Sequence, residues 1–227
     1  MSQIILAFDA STEALSIALK HETISNHFEV CPQEHSQKIL PTIEQVLAQG
    51  NCELAALDLI AFGQGPGSFT GVRIGVSIAQ GLAYAANLPV VGVSTLQIMA
   101  QEAIAKHHCD DVFVAIDARM SEIYFAHYQK NADGLAQLVG EEMVIHPEKV
   151  SLPLCSAVAV GTGWQTYPDS VARDNISVDS TIILPNSLYM LPLAEAKFNA
   201  GEATDAANAQ PVYVRDTVTW QKLPGRE

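Results

Sequence analysis

The sequence predicts an α/β protein made of two lobes of one design. Apolar strand-like runs alternate with helix-like stretches along the 227 residues, and 48% of the residues are hydrophobic, enough for a full core. The run Leu6-Ala7-Phe8-Asp9-Ala10 returns as Val114-Ala115-Ile116-Asp117-Ala118. Each copy is followed within a few residues by another apolar strand containing an alanine, Ala18 or Ala126, the pattern of a duplicated unit. The length suits two lobes of roughly 100 residues each. Residues 1–108 are expected to form the first lobe, with the glycine-rich loop. Residues 109–227 are expected to form a second, smaller lobe whose C-terminal helix is free to pack back on the first.

The elements follow in order. Residues 4–8 and 15–19 read as two strands around the turn Asp9-Ala10-Ser11-Thr12-Glu13. A helix is expected from about His35 to Gln49, with Ile39, Leu40, Ile43, Val46 and Leu47 as a one-sided stripe and Gly50 as the residue that ends it. Pro41 is placed early in this helix, where a missing amide is tolerated. The apolar run 57–62 reads as a buried strand, and 72–87 reads as a helix. Residues 89–93 form a short strand, after which Ser94 or Thr95 caps a helix through about Lys106. In the second half, strands are expected at 112–118 and 123–128. Another, 157–160, runs into the turn Gly161-Thr162-Gly163. Ser187 is expected to cap a helix that ends near Gly201 and carries Pro192 in its first turns, and the tail 211–216 is extended.

Composition narrows the function. The net charge is −13, with 12 basic against 25 acidic residues. Binding to nucleic acid relies on cations that displace counterions from phosphates, so direct contact with RNA or DNA is disfavoured. No segment approaches the roughly 20 uninterrupted apolar residues of a membrane span. The N-terminus enters a strand without the basic and apolar regions of a signal peptide. The four cysteines, Cys31, Cys52, Cys109 and Cys155, are scattered, as expected of reduced thiols in a cytoplasm.

The stretch Gly63 to Gly75 holds five of the fourteen glycines. Strand, glycine-rich loop and helix is the geometry of a phosphate cradle. Yet no lysine occurs between Lys38 and Lys106, so the G-x-x-x-x-G-K-[ST] pattern fails. The dinucleotide pattern fails too, because Thr70 stands where its third glycine belongs. Two roles stay open: a tight structural turn, with Ser68 or Thr70 as N-cap, or a ligand contact at the helix start. The helix that follows has Arg73 as its one charge. Its polar stripe is Arg73, Ser77, Gln80, Tyr84 and Asn87, and its other side carries Gly71, Gly75, Ile78, Leu82 and Ala85. Such a helix is covered on most sides, by a neighbouring helix or by another chain.

Asp9 and Asp117 close first strands, either as metal- or phosphate-orienting carboxylates or as Asx-turn residues. The run His107-His108-Cys109-Asp110-Asp111 has metal-ligand types, but adjacent helical histidines point apart, and a solvated helix end is expected. His35, beside Ser36, is expected on an exposed helix surface.

The opening Ile4–Thr12, the loop Gly65-Pro66-Gly67-Ser68-Phe69-Thr70-Gly71-Val72-Arg73-Ile74-Gly75 and the tail Pro211–Arg215 closely resemble the TsaB (YeaZ) family across essentially the whole chain. The ending Trp220–Gly225 resembles its gammaproteobacterial branch. The resemblance implies the actin-like ATPase (ASKHA) superfamily fold with two ribonuclease-H-like lobes. It also implies a cytoplasmic protein required for threonylcarbamoyl transfer to N6 of the adenosine next to the anticodon in tRNAs reading codons that begin with A. In such a system the paralogue TsaD transfers the group from threonylcarbamoyl-adenylate, and the ATPase TsaE joins the complex. A TsaB-like chain is the non-catalytic partner, which supports TsaD, helps recruit TsaE and meets tRNA only indirectly. TsaD-like proteins carry metal-binding histidines in an H-M-E-G-H stretch. The corresponding place here reads Val93-Ser94-Thr95-Leu96-Gln97-Ile98-Met99-Ala100, without either histidine.

No catalytic residue, metal or cofactor is therefore expected, and any nucleotide belongs at the interface with TsaD. The partner surface is expected on the helices 35–49 and 72–87, at Ile39, Ile43, Gly71, Gly75, Ile78 and Leu82. The same face would form a homodimer when TsaD is absent. The alternative is a stand-alone actin-like phosphotransferase or peptidase, motivated by the glycine loop and Asp9.

Overall fold

The computed structural model describes residues 3–171 and 173–215. Asp216 and the ending Trp220–Gly225 lie outside the described residues. The first sheet is built from β1 (Ile5–Asp9), β2 (Ala14–Lys20), β3 (Ile24–Val30), β4 (Leu59–Gly63) and β5 (Val90–Val93), in the order β3-β2-β1-β4-β5. The second contains β6 (Asp111–Arg119), β7 (Glu122–Lys130), β8 (Ala136–Ile145), β9 (Ala157–Val160) and β10 (Ile176–Asp179). Its order, β10-β9-β6-β7-β8, is the same arrangement element for element. In each sheet the first three strands pair antiparallel and the last two join the first strand in parallel. The duplication expected from the Asp-Ala repeat extends to all five strands.

Strands β3, β8 and β10 were not among the expected elements. β3 alternates exposed and half-buried residues, and most of β8 is exposed or half-buried. Edge strands such as these lack the continuous apolar run that marks a strand buried on both faces.

Among the described residues five α-helices complete the fold: α1 (His35–Gln49), α2 (Phe69–Ala86), α3 (Thr95–His107), α4 (Thr162–Thr166) and α5 (Met190–Asn199). α1 and α2 cover one face of the first sheet, where Ile39, Ile43, Val46, Val72, Val76 and Ala79 pack on Leu6, Phe8, Ile17 and Ile60. α5 returns to cover its other face, where Met190, Leu191, Leu193 and Ala194 meet Ile5, Ala7, Leu59 and Val91. α3 lies mainly on the second sheet, with Leu96, Met99, Ala103 and Ile104 against Val112, Val114, Ala126 and Val160. A boundary at residue 108 therefore cuts across the packing: α3 precedes it in sequence but belongs with the second sheet, and α5 follows it but belongs with the first.

Local details also differ from expectation. α2 starts at Phe69, three residues early, because the Ser68 hydroxyl accepts from Gly71 N–H and caps it. Gly50 follows α1 with φ −82°, and Asn51 at φ 48° takes the left-handed conformation instead. A Cβ at 50 would overlap Leu19 Cδ2, so a larger residue there would have to displace that side chain. Pro41 sits in the second turn of α1, on its exposed side. Ser187 does not cap α5 with its side chain. It is fully buried, its Oγ donates to Ser16 O at 2.8 Å and its N–H donates to Ser16 Oγ. His35 is buried rather than exposed, with Nε2 3.1 Å from Ala14 O.

Candidate functional site

The glycine loop connects β4 to α2 and lies directly over the turn that ends β1. Cβ atoms placed on Gly63, Gly67 and Gly71 would overlap Asp9 Oδ2, Ser11 O and Ala10 O respectively. Two of the five glycines, Gly67 and Gly71, are thus required by close approach of the chain's own backbone, and Gly63 by the Asp9 carboxylate. Gly65 meets a different demand, a φ of +100° before the cis peptide to Pro66. Ser68 N–H donates to Ser11 O at 2.7 Å, Gln64 N–H to Val93 O at 3.0 Å, and Thr95 N–H to Gly65 O at 2.9 Å. The loop is closed against the chain's own Asp9–Ser11 turn.

Asp9 is fully buried in this arrangement. Its Oδ1 accepts from Ser11 N–H at 2.9 Å and from the Ser11 hydroxyl at 2.8 Å, which makes an Asx turn. Thr95 Oγ1 lies 3.5 Å from Oδ2 and 2.8 Å from Ser11 Oγ. Burial pushes the Asp9 carboxyl up to about 6, against the opposing pull of the Ser11 bonds, the His35 charge and Thr95. Asp117 repeats the turn: Arg119 N–H donates to its Oδ1 at 2.8 Å. In both lobes the aspartate shapes the turn.

The tail crosses this region and ties the lobes together. Val212 N–H donates to Gln64 O at 2.8 Å. Farther along, Arg215 Nη2 donates to Ala118 O at 3.2 Å and pairs with Glu122 Oε2 at 2.5 Å. Between them Tyr213 joins an exposed cluster. The Arg73 guanidinium carbon lies 3.2 Å from the Phe69 ring centroid and 5.3 Å from that of Tyr213, a cation–π arrangement. Sequence reasoning did not pair Tyr213 with the loop; the signal available was that both belonged to the same family motif set.

The expected interface residues divide by burial. Ile39 and Ile43 lie in the core under α1, and Gly71 and Gly75 face the sheet and the β1 turn. These four expected interface residues are instead packing positions, because a one-sided apolar stripe above a sheet is drawn onto that sheet. Ile78 and Leu82 are half-buried at the edge of the same helix. The outer surface of the α1–α2 layer carries Leu40, Ser77, Gly81, Ala85 and Tyr84, the last 85% exposed. Of the loop, Ser68, Phe69, Thr70 and Arg73 are exposed, while Gly65 and Pro66 are buried. In the stretch Val93–Ala100 the chain places Leu96, Ile98, Met99 and Ala100 in the core.

Residues 19–211 match a family model described as "TsaD: tRNA N6-adenosine threonylcarbamoyltransferase". The protein "tRNA threonylcarbamoyladenosine biosynthesis protein TsaB" of Escherichia coli is 45% identical over 229 residues, covering 98% of this chain and 99% of that one. Its namesake from Haemophilus influenzae is 43% identical, with 98% of each chain covered. Among solved structures, "YeaZ from Pseudomonas aeruginosa" superimposes with a TM-score of 0.88 at 41% identity, over 93% of this chain and 100% of that one. The two five-stranded sheets are accordingly the two lobes of an actin-like fold. Among the described residues no helix is long and apolar enough to cross a membrane. Near-complete coverage at over 40% identity, the shared backbone and the Gly65–Gly75 motif agree: the chain belongs to the TsaB (YeaZ) family.

Proposed function

We propose that this chain is the non-catalytic partner subunit for threonylcarbamoyl transfer to N6 of the adenosine next to the anticodon in tRNAs that read codons beginning with A. It supports TsaD, helps recruit TsaE, works in the cytoplasm and meets tRNA through its partners. One observation carries the non-catalytic role: the glycine loop is occupied by the chain's own Asp9–Ser11 turn. The apolar side chains at 96 and 98–100 support it, since they offer no metal ligand. The same loop packing removes the motive for a phosphotransferase or peptidase.

The partner surface is the outer face of α1 and α2. There Tyr84, Leu40, Ile78 and Leu82 supply apolar area, and Gly81 and Ala85 let a second backbone come close. Arg73 is the one formal charge on α2, so the α2 part of the face costs little to desolvate, while α1 adds Lys38 and Glu44. In the absence of TsaD the same face serves a homodimer.

The test is reconstitution of tRNA modification from purified TsaD, TsaE, threonylcarbamoyl-adenylate and tRNA, with and without this chain. Modification is expected to require it, while the chain alone turns over nothing. Leu82→Glu combined with Tyr84→Asp is expected to weaken association with TsaD at least tenfold by calorimetry and to leave the circular dichroism spectrum unchanged. Full modification without the chain, or turnover by the chain alone, defeats the proposal.

A further inference from the structure

The run His107–Asp111 reads as a solvated helix end, yet the fold gives one of its members a different setting. Asp111 opens β6, His127 lies near the end of β7, and Cys155 lies in the segment leading to β9. These residues, far apart in sequence, bring a carboxylate oxygen, an imidazole nitrogen and a thiol sulfur within 4.8 Å of one another. His127 Nε2 is 2.6 Å from Asp111 Oδ1, and both side chains are only slightly exposed, at 11% and 13%. Gln129 Nε2 donates to the same Asp111 oxygen at 2.9 Å, which fixes the carboxylate. Asn175 Nδ2 donates to the Cys155 carbonyl and holds the backbone that presents the thiol. Asp111 also borders a cavity of about 510 Å³ whose walls include His108, Asp110 and Asp174.

We propose that Asp111, His127 and Cys155 form a binding site for a divalent transition metal ion of the zinc class. The donor set argues for this chemistry. A thiolate and an imidazole beside one carboxylate suit zinc, whereas magnesium and calcium require oxygen ligands. Gln129 orients the carboxylate ligand from behind, as outer-sphere partners of metal sites do. Asp111 is the ligand that borders the adjoining cavity, and water completes a set of four. Binding displaces the Cys155 thiol proton to solvent. The metal replaces the proton between His127 Nε2 and Asp111 Oδ1: that proton leaves to solvent, the hydrogen bond is exchanged for two metal–ligand bonds, and the neutral imidazole holds its one proton on Nδ1. The ion ties the segment before β9 to β6 and β7, so its place is structural and remote from the α1–α2 face.

The experiment uses the full chain, stripped with chelator and titrated with cobalt(II) chloride. One equivalent of cobalt per chain is expected, with a thiolate-to-cobalt charge-transfer band and the intense visible bands of tetrahedral cobalt. Zinc chloride should then displace the cobalt and bleach both. Cys155→Ser is expected to abolish the charge-transfer band, and His127→Gln to weaken zinc binding at least about tenfold. Cys109→Ser should change neither. The proposal is overturned if wild type shows no charge-transfer band with cobalt in excess. It is equally overturned if the band survives Cys155→Ser or disappears in Cys109→Ser. Because His127→Gln is read by zinc calorimetry, the test stands even if Cys155→Ser does not fold.

Discussion

The two lobes share a strand order, an Asx turn after the first strand and a glycine turn after the fourth, but they differ in what covers the sheet. In the first lobe the connection after β4 is the 18-residue α2, lying beside the 15-residue α1. In the second, the connection after β9 opens with the five-residue α4. In both lobes the glycine turn closes on a carbonyl of the first strand or of the turn that follows it. Gly67 and Gly71 approach Ser11 O and Ala10 O, and Gly161 approaches Ala115 O. The glycine turns therefore belong to the folding of both lobes, whereas a broad helical face belongs to the first alone. That contrast separates the motif that specifies the fold from the surface that distinguishes this chain's role.

The largest effect is expected where the two glycine turns are compared directly. Gly161 has φ +108°, and a Cβ there would also overlap Ala115 O. Gly161→Ala combines backbone strain with overlap against a strand and should cost about 3 kcal/mol or more. Gly67 suffers only the overlap, and Gly67→Ala should cost about 1–3 kcal/mol. Gly81, exposed on α2 with nothing near its Cβ position, is the control, and Gly81→Ala should stabilise by up to about 1 kcal/mol. Urea denaturation at constant m-value measures all three. A Gly67→Ala variant as stable as wild type would mean that the first turn is not closed on Ser11, and would reopen it as a ligand cradle.

The next largest effect concerns two aspartates with opposite pH linkage. Burial raises the Asp9 carboxyl from 3.8 to about 6, so the folded state favours its protonated form. The associated stability is full below about pH 4 and lost as pH rises through 6, about 3 kcal/mol in all. Asp9→Asn keeps an acceptor for Ser11 but does not titrate. Relative to wild type, it should gain about 3 kcal/mol between pH 4 and pH 7, as measured by denaturation at each pH. Asp179 in the second lobe runs the other way. Burial raises its carboxyl, but the hydrogen bonds from Thr181 and His107 outweigh this and leave it at about 2. Its contribution is present above pH 4 and lost as pH falls toward 2. A flat difference between Asp9→Asn and wild type across this range would refute the buried, ionisable Asp9.

Much of this contrast was readable in the sequence. Continuous apolar runs such as Ile4–Phe8 and Leu59–Phe62 marked the central strands, because strands covered on both faces need no polar alternation. The Asp-Ala repeat marked the duplication. β3 and β8 were not readable, since an edge strand is specified by the partner it pairs with more than by its own composition. Ile39 and Ile43 show the limit most clearly. An amphipathic stripe identifies a covered face but not what covers it, and here the cover is the chain's own sheet. The glycines of the loop were visible, but their reason was not, because the opposing carbonyls of Ala10 and Ser11 are more than 50 residues away. The grouping of Asp111, His127 and Cys155 depends on strand pairing that no local pattern encodes.

The smallest effects are expected where charges join the lobes, and their ranking tests how the lobes are held. Arg119 at the tip of the β6–β7 hairpin lies 3.5 Å from Glu13 in the first lobe, but its side chain is 76% exposed. Water and salt screen such a pair, so Arg119→Ala should change stability by no more than about 0.5 kcal/mol. Arg215 is 17% exposed, pairs with Glu122 and also donates to Ala118 O. Its removal leaves a half-covered carboxylate and a carbonyl without their donor, a cost of about 1–2 kcal/mol. Thermal denaturation at low and high salt reads both variants. If Arg215→Ala costs more and is less sensitive to salt, the tail is the fastening between the lobes. If Arg119→Ala costs as much, the two hairpin turns share that task and the tail merely lies across them. The tail reaches from Gln64 beside the glycine turn to Ala118 beside the second Asx turn, bonding both backbones. Arg119 reaches Glu13 and Asp117 only at 3.5 and 3.6 Å from an exposed side chain, so the tail should carry the larger share.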